Sequence, residues 1–401
     1  MGENESVHWW MGVDTETVSD RGSSNVVLAV TIFLILAGTV AQVDQGVWLV
    51  VDSYFRSIYV AIPFQIFVPR KVAEVPGLLP FPGGLTLGVL LFFNLLAAHL
   101  VRFKLSWKRA GMITTHAGVL LLLVGEFVTG AFAKEGNMTI AEGESTNYIE
   151  DTRSCELAVI DASDAKDDLV VVVPGQLLAD AAGSDVSHPL LPFTARILEW
   201  MPNSRLLGPM QASPAQLARA TTGFGTQVAA VPVAVASGVD GAGIDAPAAY
   251  VELRSGETSL GIYLLTTQLR TVQSVDVGGK RYDVALRYER RYRPYSVKLI
   301  DFRHDRFVGT EVARNFSSLV RLSDPAQNVD REVLISMNNP LRYAGETFYQ
   351  ASFAPDDSGT VLQVVRNPGW LLPYISCTMV TVGLLWHFGT HMAASFRRKL
   401  A

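Results

Sequence analysis

The stretch from Lys104 to Glu144 constrains this chain more than any other: a basic approach, a long apolar run and an acidic exit. From Gly111 to Phe132 lie twenty-two residues whose only ionisable side chains are His116 and Glu126. As a helix, that length crosses the hydrocarbon core of a bilayer. An ionisable group inside such a span is costly, so its default meaning is functional. Here it is an imidazole, which in its neutral form ligates a metal ion or haem iron.

Three further segments are long and apolar enough to span: residues 25–42, 84–101 and 369–390. The first lies too far from the N-terminus and lacks the short apolar region and small-residue cleavage site of a signal peptide, so it reads as a retained span. The second carries His99 near its end, and the fourth carries His387 near its end. The expected fold is therefore a membrane protein with four transmembrane α-helices. A large extracytoplasmic all-β domain, residues 133–368, is inserted between the third and fourth.

Basic residues set the orientation. The connection 102–110 carries Arg102, Lys104, Lys108 and Arg109, and the tail 391–401 carries Arg397, Arg398 and Lys399. Basic residues beside spans stay cytoplasmic, which by parity also places the N-terminal tail 1–24 inside. The loop 43–83 and the large domain then face outward, against the weaker pull of Arg56, Arg70 and Lys71 in that loop. The expected location is the bacterial inner (cytoplasmic) membrane, crossed several times and solvated by lipid.

A net charge of -5 with no basic patch argues against a nucleic-acid partner. Cys155 and Cys377 are the only cysteines, and no C-x-x-C exists. The chain is thus neither a disulfide scaffold nor a thiol oxidoreductase.

The external domain alternates with period two. In Tyr282-Asp-Val-Ala-Leu-Arg-Tyr288, Tyr282, Val284, Leu286 and Tyr288 share one face. Segments 296–302, 318–322, 332–336, 347–351 and 361–365 continue the series, with turns at Gly278-Gly279 and Asn338-Asn-Pro340. About twelve short strands so connected predict a sandwich or an open barrel. Residues 177–249, rich in Ala, Gly and Pro, predict an irregular lobe. It holds one short helix capped by Ser213, with Pro214 in its first turn and a run to Ala220.

Several stretches resemble the ResB family of cytochrome c biogenesis proteins, also called CcsB, of the System II pathway. Ala37-Gly-Thr-Val-Ala-Gln42 and Asp52-Ser-Tyr-Phe55-Arg-Ser57 are similar to that family's first helix and its exit. His116-Ala-Gly-Val-Leu-Leu-Leu-Leu-Val-Gly125, then Ala141-Glu-Gly-Glu144, resemble its histidine-bearing helix and the acidic segment after it. Leu299-Ile-Asp-Phe302, Asn315-Phe-Ser-Ser-Leu-Val320, Met337-Asn-Asn-Pro-Leu341, Gly345-Glu-Thr-Phe-Tyr-Gln350 and Asn367-Pro-Gly369 resemble its strand series and the approach to the last span. The likeness follows the chain in order and is weakest at 177–249. The long outer loop 43–83, with its Pro-rich end, departs from the pattern.

The resemblance implies a subunit of a haem delivery and attachment complex, without catalysis of its own. Its partner would be a ResC- or CcsA-like multispan haem-handling protein with a Trp-rich motif, for which Trp9-Trp10 is no substitute. The remaining partners would be apocytochrome c, docked by the external domain, and a separate thiol-disulfide reductase. The cofactor would be haem b, held transiently and shared with the partner. His116 is the implied ligand to haem iron, with His99 and His387 as weaker candidates.

At 1.5 Å per residue, His116 lies roughly 8 Å into its span from the cytoplasmic side. His99 and His387 lie near the same face. Plainer roles stand beside each: helix packing for His116, a headgroup contact for His99, and an interfacial belt with Trp386 and His391 for His387. Glu126 reads as a partner contact or a solvated group, and His188 and His304 as surface or sheet-edge residues. Two other functions remain open. One is a b-type haem electron-transfer membrane subunit using two of the three histidines. The other is a haem-free membrane-anchored β-domain that acts as scaffold or sensor.

Overall fold

The computed structural model describes residues 21–68, 72–102, 106–107, 109–164, 167–235, 244–269, 271–306, 313–354 and 357–400. Trp9, Trp10, Arg70, Lys71, Lys104 and Lys108 lie outside them, as do the side chains of Arg102, Arg397, Arg398 and Lys399. The chain divides into a helical unit, formed by its two ends, and a β unit, Lys134–Ala236 with Gly243–Arg366.

Four long helices make the helical unit: α1 (Arg21–Gln45), α2 (Gly84–Arg102), α3 (Ala110–Phe132) and α4 (Leu372–Leu400). Among the described residues, Asn25–Val43 and Ala110–Phe132 are long and apolar enough to cross a membrane. Gly84–Leu100 is apolar but shorter.

The outer loop is folded, not loose. It forms a short helix Val47–Val50, a π-helical turn Val51–Phe55, and a hairpin of β1 (Tyr59–Pro63) and β2 (Leu78–Pro82). Val50, Tyr54, Val60, Ile62 and Ile66 bury against Leu34, Ala37 and Ala41 of α1 and Leu87 of α2. Gln65 closes the turn beyond β1, donating from Nε2 to the Val68 and Ala73 carbonyls and accepting from the Val75 amide. Small residues on α1 make room for this cap: a Cβ on Gly38 would stand 2.8 Å from the Phe55 ring.

Helices α3 and α4 pack closely along a glycine stripe with a seven-residue period. Gly111, Gly118 and Gly125 are the buried residues of α3. A Cβ at Gly111 would meet the His387 backbone at 2.6 Å, and one at Gly118 the Ser376 carbonyl at 2.9 Å. Without Cβ atoms the two backbones approach closely, the usual source of helix association where lipid offers no hydrophobic drive. Asn367 ties the ends of the pair together. Its Nδ2 donates to Thr129 Oγ1 at 3.2 Å, and its Oδ1 accepts from the Gly369 amide at 2.8 Å.

The β unit is a large all-β domain with two cores. Its strands are β3 (Lys134–Ala141), β4 (Ser145–Asp161), β5 (Leu169–Pro174), β6 (Asp185–Val186), β7 (Thr194–Met201), β8 (Ser204–Leu207) and β9 (Ala229–Pro232). There follow β10 (Ala248–Ser255), β11 (Thr258–Thr266), β12 (Gln273–Val277), β13 (Lys280–Arg306), β14 (Ala313–Asp324), β15 (Val329–Ser336), β16 (Leu341–Tyr343), β17 (Glu346–Phe353) and β18 (Gly359–Arg366). Ten of them form one sheet in the order β15-β14-β13-β4-β3-β18-β17-β16, with β12 on β13 and β5 on β4. Its edge strand β15 meets β16 and β17 at the other end of the order, so that half of the sheet curls into a nearly closed barrel. The barrel is filled by Met138, Ile140, Tyr295, Leu299, Leu322 and Phe348, among others. Each fully buried apolar side chain of this size contributes about 1.5–3 kcal/mol. The other half of the sheet faces the four-stranded sheet β11-β10-β7-β6 as a sandwich, with Leu157, Ile197, Val251, Leu265 and Leu286 between them.

The expectation of a sandwich or an open barrel thus resolves into both, joined by β4 and β13. Segments 282–288 and 296–302, expected as two strands, are one 27-residue strand. Its register on β4 shifts between Tyr288 and Arg290 and between Tyr292 and Val297, bending the strand from one core into the other. The lobe 177–249 also needs correction. It holds β7, a central strand whose Ala195, Ile197 and Met201 are buried, and the hairpin of β8 with β9. A register shift in the pairing of β7 with β10 breaks the alternation there, which hid the strand from a period-two reading. The short helix does have Ser213 as N-cap in a full capping box with Gln216, but it covers only Pro214–Leu217.

Candidate functional site: a histidine pair

The hairpin of α2 and α3 brings two of the three candidate histidines together. His99 is three residues before the end of α2 and His116 is six residues after the start of α3. In an antiparallel pair those positions fall at one level. Their ring centroids are 5.0 Å apart and the planes are nearly perpendicular, at 78°. His116 stands roughly 150° around α3 from the glycine stripe, which turns its ring away from α4 and toward α2.

His99 Nδ1 lies 2.8 Å from the Leu95 carbonyl oxygen. A carbonyl only accepts, so Nδ1 carries the proton and a neutral His99 keeps its lone pair on Nε2. The backbone of α2 thereby selects the tautomer in which Nε2 is the ring nitrogen able to accept a bond.

His387 is not part of this pair. Its ring packs on Phe388 at 5.5 Å and on His391 at 4.6 Å, both on its own helix, and its backbone is what Gly111 abuts. Glu126 is exposed on α3. Beside the start of α3 lies an open cavity of about 400 Å³ lined by Ser106, Trp107, Ala110, Ile113 and Thr114. Trp107 is stacked on Trp386 with centroids 5.5 Å apart, and Trp386 Nε1 donates to the Trp107 carbonyl at 3.3 Å. Ile113, on the cavity wall, precedes His116 by one turn. Sequence reasoning missed this tryptophan pair, because nothing local links positions 107 and 386.

The pair fits haem iron in one way better than in another. A metal–imidazole nitrogen bond is about 2.0 Å, so two imidazoles trans on one iron stand roughly 6 Å apart by centroid. At 5.0 Å and edge to face, His99 and His116 are closer than that. The arrangement suits one histidine as ligand with the other beside it, orienting the ring or relaying a proton. Among the described residues no group of three His, Cys, Asp or Glu side chains could hold a bare metal ion.

In the β unit several buried ionic groups are paired. At the bend of β13, Arg293 grips Glu346, which is 3% exposed and also accepts from the Tyr295 hydroxyl. Tyr343, stacked edge-on to Tyr295, donates to Asp324 at 2.7 Å. Arg287 pairs with buried Glu156 at 2.9 Å. Cys155 is buried against Gly175, and burial pushes its thiol up to about 11. His188 is exposed in a loop, as expected. His304 is not a surface residue: its side chain is 4% exposed, enclosed by Phe316 and Phe353.

Comparison with known proteins bears on the β unit. The ResB-like family model matches residues 268–361, which run from β12 through the start of β18. Over this segment the chain is similar to the ResB-like family. Protein NrfI of Wolinella succinogenes is 37% identical over 94 residues, which are 23% of this chain. The matched stretch spans only 10% of that relative's length. The matched segment contains Arg293, Tyr295, Tyr343 and Glu346 of the barrel, and also Val275, Val284 and Leu286 of the sandwich core. The histidine pair lies outside the matched segment.

Proposed function

We propose that this ResB-like chain is a non-catalytic subunit of a cytochrome c biogenesis complex. It sits in the bacterial inner membrane on four helices, with the β unit outside. Its helices hold haem b in transit and its β unit docks apocytochrome c. The other subunit would be a multispan haem-handling protein of the ResC or CcsA kind, with apocytochrome thiols kept reduced by a separate protein.

The apposition of His99 and His116 at one level of the α2–α3 hairpin carries this reading, supported by the family match in the barrel. In the proposal His116 supplies the ligating nitrogen. His99, its proton held on Nδ1 by Leu95, aligns the neighbouring ring and supplies a second imidazole edge. The cavity beside Trp107 gives a flat hydrophobic molecule a way to the His116 side of α3. Haem, when bound, supplies a redox-active iron and the group to be joined to apocytochrome cysteines. The ring spacing favours this transient single-histidine site over a stable bis-histidine electron-transfer site.

The test is His116→Ala in the intact complex. Alanine is well tolerated in a helix, so insertion should be unchanged. Co-purified haem should fall by at least roughly tenfold and holocytochrome c should disappear, with added imidazole partly restoring both. His99→Ala and His387→Ala should do less. Full haem content and normal cytochrome c in His116→Ala would reduce the imidazole to a packing group.

A further inference from the structure

We propose that the hairpin of β1 and β2 is seated in lipid. It lies in the outer leaflet, at the boundary between headgroups and acyl chains, with one face on α1 and the other against lipid. This placement rests on the four-span reading above and goes beyond it.

The side-chain pattern of the hairpin does not suit an aqueous surface. An antiparallel ribbon with one face in water alternates apolar and polar residues. Here Val60 and Ile62, with Leu79 and Phe81, pack into the core shared with α1. The other face carries Tyr59, Ala61 and Pro63 of β1 opposite Pro82, Pro80 and Leu78 of β2. None of the six is charged, and Tyr59 alone has a polar side-chain atom. Ile58, Tyr59, Phe64, Phe67 and Leu78 are 40–70% exposed. So many large apolar side chains exposed on one short loop mark a contact surface.

The main chain agrees. Phe64 N–H bonds to the Gly77 carbonyl and Gly83 N–H to the Ile58 carbonyl. Bonded and open positions alternate along an antiparallel pair, so residues 59, 61 and 63 and residues 78, 80 and 82 turn their main-chain groups to the free edges. Three of those six are proline and have no N–H to leave unpaired. Gln65 saturates the turn beyond β1, and Thr86 Oγ1 donates to the Ile58 carbonyl at 2.7 Å. A backbone so relieved of open donors suits a medium poor in water. The prolines also deny the edges to another strand, which disfavours a peptide or a second copy of this chain as the occupant.

Depth decides for lipid. The Phe33 ring on α1 packs on Phe81 at 5.0 Å and on Phe67 at 6.2 Å. Phe33 stands ten residues before Val43, the outer end of that span, or about 15 Å at 1.5 Å per residue. The ribbon therefore lies alongside the outer half of the span, not beyond it. Its remaining open carbonyls keep it at the boundary, within reach of water. Asp52 and Arg56 fit the same depth: they bridge at 3.5 Å and both are more than half exposed.

The experiment uses the full chain with Cys155→Ser and Cys377→Ser, in nanodiscs of phosphatidylethanolamine and phosphatidylglycerol. Single nitroxide labels are placed by Ile58→Cys, Phe64→Cys and Leu78→Cys. Ile32→Cys on α1 and Met210→Cys in the β unit, both exposed positions, serve as references. Collisions with oxygen, which concentrates among acyl chains, are compared with collisions with a water-soluble nickel chelate. At all three loop positions the oxygen-to-nickel ratio should exceed that at Met210 by at least roughly fivefold and stay below that at Ile32. Ratios equal to that at Met210 mean an aqueous loop and overturn the proposal. Exclusion of both reagents means a protein cover, such as a second copy, and overturns it equally. Failure of the four-span reading is distinct: it shows as a nickel-dominated signal at Ile32 itself.

Discussion

Glu346 and Cys155 show how burial decides what a side chain can do. Glu346 is almost wholly enclosed and holds both the Arg293 guanidinium and the Tyr295 hydroxyl. Glu346→Ala should cost about 3–5 kcal/mol, because it leaves a cation without its counter-charge at the bend of β13. Urea unfolding of the purified chain, followed by circular dichroism of the β unit, measures it. Tyr295 is held above the usual phenol range, by burial first and then by its bond to Glu346. A raised folded value means that this stabilisation is complete below the ordinary tyrosine range and is lost as pH rises above it. Cys155 follows the same sign. Its thiol is raised to about 11 by burial, so it stays protonated through neutral pH and is a poor nucleophile. Iodoacetamide at pH 8 should leave Cys155 unmodified in the native chain and modify it after denaturation, as peptide mass spectrometry would show. Rapid native labelling would mean an exposed thiolate.

At the level of elements, the α3–α4 pair depends on three missing side chains. Gly118→Leu would drive a side chain into Val380 and the Ser376 carbonyl. The overpacking should cost about 1–3 kcal/mol and push the helices apart. Melting in detergent should shift downward, while Gly130→Leu, at a position with open space around it, should leave the melt unchanged. The stripe itself was open to a reading of the sequence, since Gly111, Gly118 and Gly125 recur every seven residues, but its partner was not. Nothing in α3 names Leu372, Val380 and His387 as the surface it meets. The long strand β13 is the converse case. Its alternating halves were readable as strands, but their continuity was not, because Pro294 and two shifts in register interrupt the pattern where the strand passes between cores.

For the whole molecule, the proposed topology makes a sharp prediction. Reporter fusions after Lys104 and after Lys399 should behave as cytoplasmic, and one after Gly279 as exported, because basic residues flank the first two positions and the last is a turn in the β unit. A cytoplasmic signal at 279 would invert the arrangement and remove the basis for docking an extracytoplasmic apocytochrome. The ResB-like match bears on the same scale. It runs from β12 to the start of β18, through the first half of β13 in the sandwich core and on through β14 to β17 around Phe348 in the barrel.

By itself the sequence determined those properties that depend on composition and short-range period. Unbroken apolar length marks helices, alternation marks strands, and the lack of a C-x-x-C rules out dithiol chemistry without any coordinates. It also singled out His116, because one imidazole in an apolar run is conspicuous in one dimension. Tertiary structure alone decided which groups meet. It set His99 against His116 and left His387, which packs on its own helix neighbour His391, out of the pair, a choice made by helix rotation about the glycine stripe. It also buried His304 under phenylalanines from β14 and β17, with a carboxylate from the turn after β17. Those residues stand twelve and about fifty positions away in the chain. Contacts at such separations are set by strand pairing, and strand pairing is a property of the closed sheet that no local pattern encodes.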